Sequence, residues 1–503
     1  MPDDPIVLGL DVGTTSIKAV LLDPQGRSQA MARAATPFRG GEMAPSDLLS
    51  AARQVLTLLD APDLARVRAV GIAGLAESGA ALDGAGRPLG PIIAWNDPRG
   101  GEVVDRLMNR LGADLQRAIG QRLRTVSSVA KLGWLLDQGA GPVFWWLGVP
   151  ELVLHALTGC RVTEFSLAAR TGAYDVAERR YLPEVEAGLG LAAGAEVFPP
   201  VAAAGSVMGR VSQDGFRWSG LPAGIPVTLA GHDHLVGRVG AGVAAADLAN
   251  SVGTAETVVA ALPPGLVPDL DLAIEERVPL TWLPGGHAAA LLASAARAGL
   301  VVAAVAQALG CRVDELDLRS ESSSRHPGNG LHPHLGDRII DAALAGQSLP
   351  VDAGQPPEAV WPLTVAALAA RTWGAVDRLE RVAATAGAPG GGHASGDAPP
   401  GARADRSSSG DATPAAPPIV SRAGAELVVY GGGSRSRLWL EAKARGRPQV
   451  AVWRSKVEEA VARGAALFAG VAAEWWPLVD AAPEPSLERI TPRPPPPCRA
   501  DRF

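Results

Sequence analysis

Apolar and polar positions along the chain follow two different periods. Short apolar runs at 6–10, 17–22, 69–74, 226–230, 427–430 and 450–453 are bounded by Gly, Pro or charged residues, with Ala-rich stretches between several of them. Runs of that length beside turn residues predict buried strands, and the longer stretches predict helices. Over 360–382, Trp361, Leu363, Val365, Leu368, Trp373, Val376 and Leu379 predict a helix. The apolar stretch 288–309 is mostly Ala and carries Arg297 near its centre. An arginine there would cost about 2.5–3.5 kcal/mol in a bilayer, so a buried helix of a soluble protein is expected. Strands alternating with helices predict an α/β fold.

One segment breaks the pattern. From 387 to 418 the chain is dominated by Gly, Pro, Ala and Ser and holds no Val, Ile, Leu, Met or aromatic residue. Such a segment buries too little to offset its ordering entropy, so a disordered insertion is expected. The Pro-rich end, 481–503, reads as a tail. The 59 Gly and 42 Pro, about a fifth of the 503 residues, are partly explained by these segments. A net charge of −6 and only 12 Trp, 7 Phe and 3 Tyr argue against a polyanion-binding or base-stacking surface, so no nucleic-acid partner is expected. Three widely spaced cysteines, Cys160, Cys311 and Cys498, encode neither a disulfide scaffold nor a zinc site. With an acidic N-terminus and no signal-peptide core, a cytoplasmic location is expected, with no membrane partner.

The remaining glycines mark four turns that carry candidate chemistry. In the first, Asp11-Val12-Gly13-Thr14-Thr15 joins two strand-like runs. Gly13 permits a tight turn that aims backbone N–H groups at an anion, and the Thr14 and Thr15 hydroxyls add donors. Asp11 is placed to hold a metal-bound water, and Lys18 adds positive charge; an ordinary hairpin explains the turn equally well. The second, Ser251-Val252-Gly253-Thr254, repeats the pattern, and two such turns from two lobes can clamp phosphates from both sides. By itself it is only a turn. The third, Gly431-Gly432-Gly433-Ser434, lies between a strand and a helix, with Ser434 expected to cap the helix. It matches neither a dinucleotide-binding fingerprint nor a P-loop. The fourth, Gly231-His232-Asp233-His234, leaves the strand 226–230, and acidic residues at such strand ends are where α/β proteins place catalytic groups. Asp233 is the candidate base, with a helix cap as its structural alternative; His232 reads as a packed or capping ring. No His-Asp-His metal site is expected, since adjacent side chains diverge.

Taken in order, these four elements resemble the FGGY carbohydrate kinases, the sugar-kinase branch of the actin, hexokinase and Hsp70-type ATPase fold. Further pieces are similar to the family: Trp95-Asn96-Asp97-Pro98-Arg99 to its segment beside the sugar, 128–137 to its first signature, and 458–466 to the helix after its adenosine loop. The resemblance covers about 5–260 and 425–475 and fits 265–385 poorly. It implies a two-lobed actin-like ATPase (ribonuclease H-like) fold with a central cleft. The expected division is a first lobe over 1–244, a second over 245–480 and the tail beyond. It also implies ATP and Mg²⁺, with Asp233 as base and Asp11 and Asp233 holding the metal through water. Thr14, Thr15 and Thr254 would hold phosphates, and Gly432 and Gly433 would lie along the adenosine. Where xylulokinase-like members carry Met-His-Gly, this chain has Glu77-Ser78-Gly79. Glu77, Trp95, Asp97 and His234 form the expected sugar pocket, although Glu77 also fits a surface loop and Trp95 a core ring. The implied function is ATP-dependent phosphorylation of a sugar or polyol, with a ketopentose such as xylulose as the expected acceptor. A regulatory protein that binds sugar without turnover is the alternative, and a homodimer is left open.

Overall fold

The computed structural model describes residues 4–192, 194–322, 334–351, 357–387 and 426–493. Apart from Gly387, the insertion expected at 387–418 lies outside the described residues.

Two sheets organise the chain. The first has the order Gly209–Arg210, Pro226–His232, Val67–Gly74, Ile6–Val12, Ser16–Leu22, Ser28–Ala35. Ile6–Val12 forms a hairpin with Ser16–Leu22 and pairs in parallel with Val67–Gly74, which pairs in parallel with Pro226–His232. Every residue of Ile6–Val12 is buried, as its unbroken apolar run requires for a strand covered on both faces. The parallel register sets Val12 and His232 each opposite Gly74, so the carboxyl ends of three strands stop at one level.

The second sheet repeats this plan, in the order Leu280–Trp282, Ala289–Ala296, Glu256–Ala261, Leu248–Val252, Glu426–Tyr430, Ala451–Ser455, Leu487–Arg489. Leu248–Val252 forms a hairpin with Glu256–Ala261 and pairs in parallel with Glu426–Tyr430, Ser251 facing Tyr430. The long helix Pro357–Ala383 covers one face and contributes Val360, Trp361, Leu368, Val376 and Leu379 to a core with Val258, Leu291 and Leu427.

Three expectations change. Residues 288–309 are not one helix: Ala289–Ala296 is a central strand, and a helix, Ala298–Ala308, begins only after Arg297. Alanine suits either element in a buried setting, so composition alone did not separate them. The tail starts later than 481, because Leu487–Arg489 closes the edge of the second sheet against Ala451–Ser455. Finally, the helix Ala460–Ala472, which a division at 245 assigns to the second lobe, packs on the first sheet. It does so backbone to backbone. A Cβ at Gly9 would lie 2.0 Å from the Ala462 carbonyl oxygen, and one at Gly71 1.9 Å from that of Ala465, so both strands need glycine there.

Candidate active site

The first turn is braced rather than free. Thr36 donates its hydroxyl to the Gly13 carbonyl at 2.7 Å and its N–H to the Thr15 carbonyl at 3.1 Å. Thr14 receives the Trp95 indole N–H at 3.1 Å, while Thr15 is exposed. Asp11 is only 4% exposed. Lys18 Nζ lies 3.3 Å from its Oδ2 and 2.8 Å from Glu459 Oε2 at the head of the helix on the first sheet. Burial pushes the Asp11 carboxyl up to about 6; Lys18 opposes the shift and the Asp233 charge adds to it. Burial lowers the Lys18 ammonium, but Asp11 and Glu459 more than offset this and its pKa is raised. Asp11 Oδ1 is buried with no hydrogen-bond partner among the described residues.

Asp233 opens the helix Asp233–Gly240 where Pro226–His232 ends. Its Oδ1 accepts the His234 N–H at 2.6 Å and lies 3.2 Å from His232 Nε2. His232 is buried, which pulls its pKa down to about 4 even though Asp233 pulls the other way, so the ring is neutral at physiological pH with Nε2 facing the Asp233 carboxylate. The expected divergence of adjacent side chains is not found. Strand gives way to helix between 232 and 233, and one ligand-type atom from each of His232, Asp233 and His234 lies within 4.8 Å of the others.

The same helix ties the other turns to this point. Tyr430, which precedes the triple glycine, donates its hydroxyl to the His234 carbonyl at 2.7 Å. His234 Nε2 lies 3.4 Å from Thr257 Oγ1, just beyond the second turn. Gly253 and Thr254 are exposed, and a Cβ at Gly432 would meet nothing within 4 Å. Gly431, at φ +92°, lies so close that a Cβ would be 2.7 Å from the Val252 carbonyl oxygen; Gly433 packs against Val252 and Trp439. Ser434 does not cap the next helix. Its hydroxyl turns back to the Gly431 carbonyl at 2.7 Å, and Ser436 is the cap, accepting the Trp439 N–H at 3.2 Å and donating to Asp317 Oδ1 at 2.8 Å. A 3₁₀ turn over Gly432–Arg435 delays the helix and so shifts the cap.

The expected sugar residues are gathered along the first lobe, though several are engaged with one another. Glu77, at φ +69°, receives Arg170 Nε on Oε1 at 2.8 Å, and Arg170 reaches Gln121 Oε1 at 2.7 Å. Asp97 forms a two-bond pair with Arg99, 2.8 Å on each oxygen, and this pair holds its carboxyl below the usual range. The buried Lys131 donates to the carbonyls of Asp97 and Arg99. Burial lowers its pKa to about 8. Trp95 serves both readings: its ring packs on the first-lobe core while its N–H holds Thr14.

Several supporting residues lie outside the four glycine turns. Glu459 completes the Lys18 pair. Beneath the second turn, Lys443 Nζ is held by Asn250 Oδ1 at 2.7 Å, Thr372 Oγ1 at 2.8 Å and the Glu256 carboxylate. Glu164 is fully buried, which pushes its carboxyl up to about 7.

Comparison with known proteins fits this geometry. Residues 6–240 match the family described as "FGGY family of carbohydrate kinases, N-terminal domain". The chain carries the N-terminal domain of the FGGY carbohydrate kinases. It is 30% identical over 268 residues to an L-fuculokinase of Salmonella typhi, covering 50% of this chain and 56% of that protein. It is also 30% identical over 193 residues to a xylulose kinase of Lactococcus lactis, covering 36% and 38%. The chain thus spans about half the length of the curated relatives it matches. A ligand-bound xylulose kinase from Lactobacillus acidophilus superimposes with a TM-score of 0.73 at 17% identity, covering 97% of this chain and 94% of that one. The fold is the two-lobed actin-like ATPase fold of the FGGY kinases. Within this frame the FGGY N-terminal domain holds Asp11, Glu77, Trp95, Asp97 and Asp233, whereas Gly253, Thr254 and the triple glycine lie beyond the matched residues.

Proposed function

We propose that this protein transfers the γ-phosphoryl group of ATP to a hydroxyl of a sugar or polyol. The observation that carries the reading is the juxtaposition of Asp233 and Asp11 at the level where three parallel strands end, with the first Gly-Thr turn directly after Asp11 and the second hairpin reached through the His234–Thr257 contact. Both contacts to Asp233 fall on Oδ1, which leaves Oδ2 as the oxygen to receive the substrate proton. A carboxylate suffices because phosphoryl transfer is loose and the nucleophile's proton leaves late, so orientation outweighs basicity. The hydroxyl oxygen forms the new P–O bond, the bond to the β-phosphate oxygen breaks, ADP leaves, and the proton passes to Asp233. The neutral His232 and the His234 N–H fix the carboxylate's direction without neutralising it.

In this reading Thr14, Thr15, Gly13, Gly253 and Thr254 hold phosphate oxygens, while 431–434 lie along the adenosine. Magnesium suits the donor set. The unpartnered buried Oδ1 of Asp11 and the neighbouring charge of Asp233 supply hard oxygen ligands and a negative field, directly or through water. When bound there the ion would neutralise developing phosphate charge. Lys18 is committed to Asp11 and Glu459, so its part is to hold Asp11 in place.

For the acceptor we favour a ketose. A ketopentose such as xylulose is the first candidate, and the relative named L-fuculokinase makes L-fuculose derivatives the second. Support comes from the hydroxyl-binding set Glu77, Arg170, Trp95, Asp97 and His234. ADP release with ketoses, aldoses and polyols in turn tests the assignment. Turnover stimulated by at least one ketose is expected. ADP release that no sugar or polyol raises above background would instead favour a sugar-binding protein without turnover.

A further inference from the structure

The strand-to-helix turn that presents Asp233 rests on residues outside all four glycine turns. Glu164 ends the short strand Thr163–Glu164 and is completely buried. Its Oε2 accepts the Ser166 N–H at 2.7 Å and the Ser166 hydroxyl, and its Oε1 accepts the Gly285 N–H at 2.9 Å. Ser166 Oγ in turn accepts the His232 N–H at 2.9 Å. The backbone N–H groups of Ser166, Gly285 and His232 can only donate, so both Glu164 oxygens and Ser166 Oγ accept, and the Ser166 hydroxyl proton is free to point at Glu164 Oε2. The chain of bonds has one direction. It ends on the residue before Asp233.

The surrounding backbone is shaped around these two side chains. Pairing between Pro226–His232 and Val67–Gly74 shifts register between Leu229 and Gly231. Gly231 is at φ +118°, and a Cβ there would lie 2.5 Å from Ser166 Oγ and 2.7 Å from Glu164 Oε2. Thus the glycine before His232 is required by contact with Glu164 and Ser166, and the shifted register re-aims the strand end, as bulges beside active sites do. Gly285 belongs to the second sheet's loop between Leu280–Trp282 and Ala289–Ala296. Nearby, Arg179 of the first lobe donates to the Gly286 carbonyl at 2.8 Å and lies over the Trp282 ring, whose N–H meets the Val176 carbonyl at 3.0 Å.

We propose that Glu164 and Ser166 are positioning residues for Asp233: one carboxylate oxygen fixes the catalytic turn through Ser166, and the other fixes the second lobe through Gly285. The inference rests on the kinase reading for its consequence, though the hydrogen-bond relay does not. Because a displacement of the base by a fraction of an ångström lowers rate more than binding, the effect is read in kcat.

The test uses the full chain with Ser166→Ala, Ser166→Thr and Glu164→Gln, scored by kcat, by KM for ATP and sugar, and by amide hydrogen exchange. Ser166→Ala removes the hydroxyl that joins Glu164 to His232 and leaves the Ser166 and Gly285 N–H bonds to Glu164 in place. It is expected to lower kcat about tenfold or more with both KM values within about twofold, and to speed exchange selectively over 229–235. Ser166→Thr keeps the hydroxyl and should recover most of kcat. Glu164→Gln must turn an NH₂ toward one of its donors, so it should add faster exchange over 283–288 or over 229–235. Wild-type kcat and exchange in Ser166→Ala would overturn the relay, as would faster exchange spread evenly over the first lobe. Wild-type protein that phosphorylates no sugar would count against the function, and exchange at 229–235 would then decide the relay alone.

Discussion

The two Gly-Thr turns share a backbone plan and divide the chemistry unequally. Each caps a hairpin whose first strand also pairs in parallel with a later strand, and Asp11 of the first occupies the place of Ser251 in the second. The first sets its charges beside the turn: the buried Asp11 and the part-buried Lys18 and Glu459 form a chain with one buried oxygen left open. The second keeps charge underneath, where Lys443 and Glu256 are 1% and 0% exposed. In the proposed reading the first turn meets a cation and the second is held rigid, which puts metal and base in the same lobe.

Breaking the hidden pair should have the largest effect. Lys443→Met leaves Glu256 buried without its partner and is expected to cost about 3–5 kcal/mol in denaturant unfolding. Replacing both residues with apolar ones should recover most of that loss. A single variant near wild-type stability would mean that the second turn does not depend on the charge beneath it.

Asp11→Asn sharpens the contrast from the other side. Turnover should fall about a hundredfold, since the open carboxylate oxygen is lost. Stability without nucleotide or magnesium should move differently. The folded-state pKa of Asp11 is raised from 3.8 to about 6, so the contribution of its protonated form is full below 3.8 and lost as pH rises through 6. Relative to Asp11→Asn, the wild type should lose about 2 kcal/mol between pH 4 and pH 7. Parallel stability curves would show that Asp11 is not held under strain for a cation.

The smallest effect is expected at Thr14. Trp95→Phe removes one hydrogen bond to that side chain and should cost about 1 kcal/mol, or about fivefold, in KM for ATP. An effect confined to KM for the sugar would assign Trp95 to the acceptor instead.

Much of this was legible in the chain because it depends on local chemistry. Gly13, Gly253 and Gly431 stand out because short apolar strands run into them, and Asp233 because it follows such a strand directly. What was not legible depends on packing. Ala289–Ala296 and Ala298–Ala308 share one composition, and only pairing with neighbouring strands separates them. Ser434 reads as the cap, and only the 3₁₀ turn over Gly432–Arg435 moves that place to Ser436. Lys443 and Glu164 belong to none of the four turns. Lys443 meets Glu256 and Glu164 meets Gly285, partners more than a hundred positions away in the chain.

The most direct measurement follows the product itself. Wild-type protein and Asp233→Asn are incubated with ATP, magnesium and each ketose, and the phosphosugar is quantified by mass spectrometry. The account predicts a stoichiometric sugar phosphate from the wild type, and a rate at least about a hundredfold lower from Asp233→Asn despite unchanged nucleotide binding. Equal phosphosugar formation by the two proteins would contradict it.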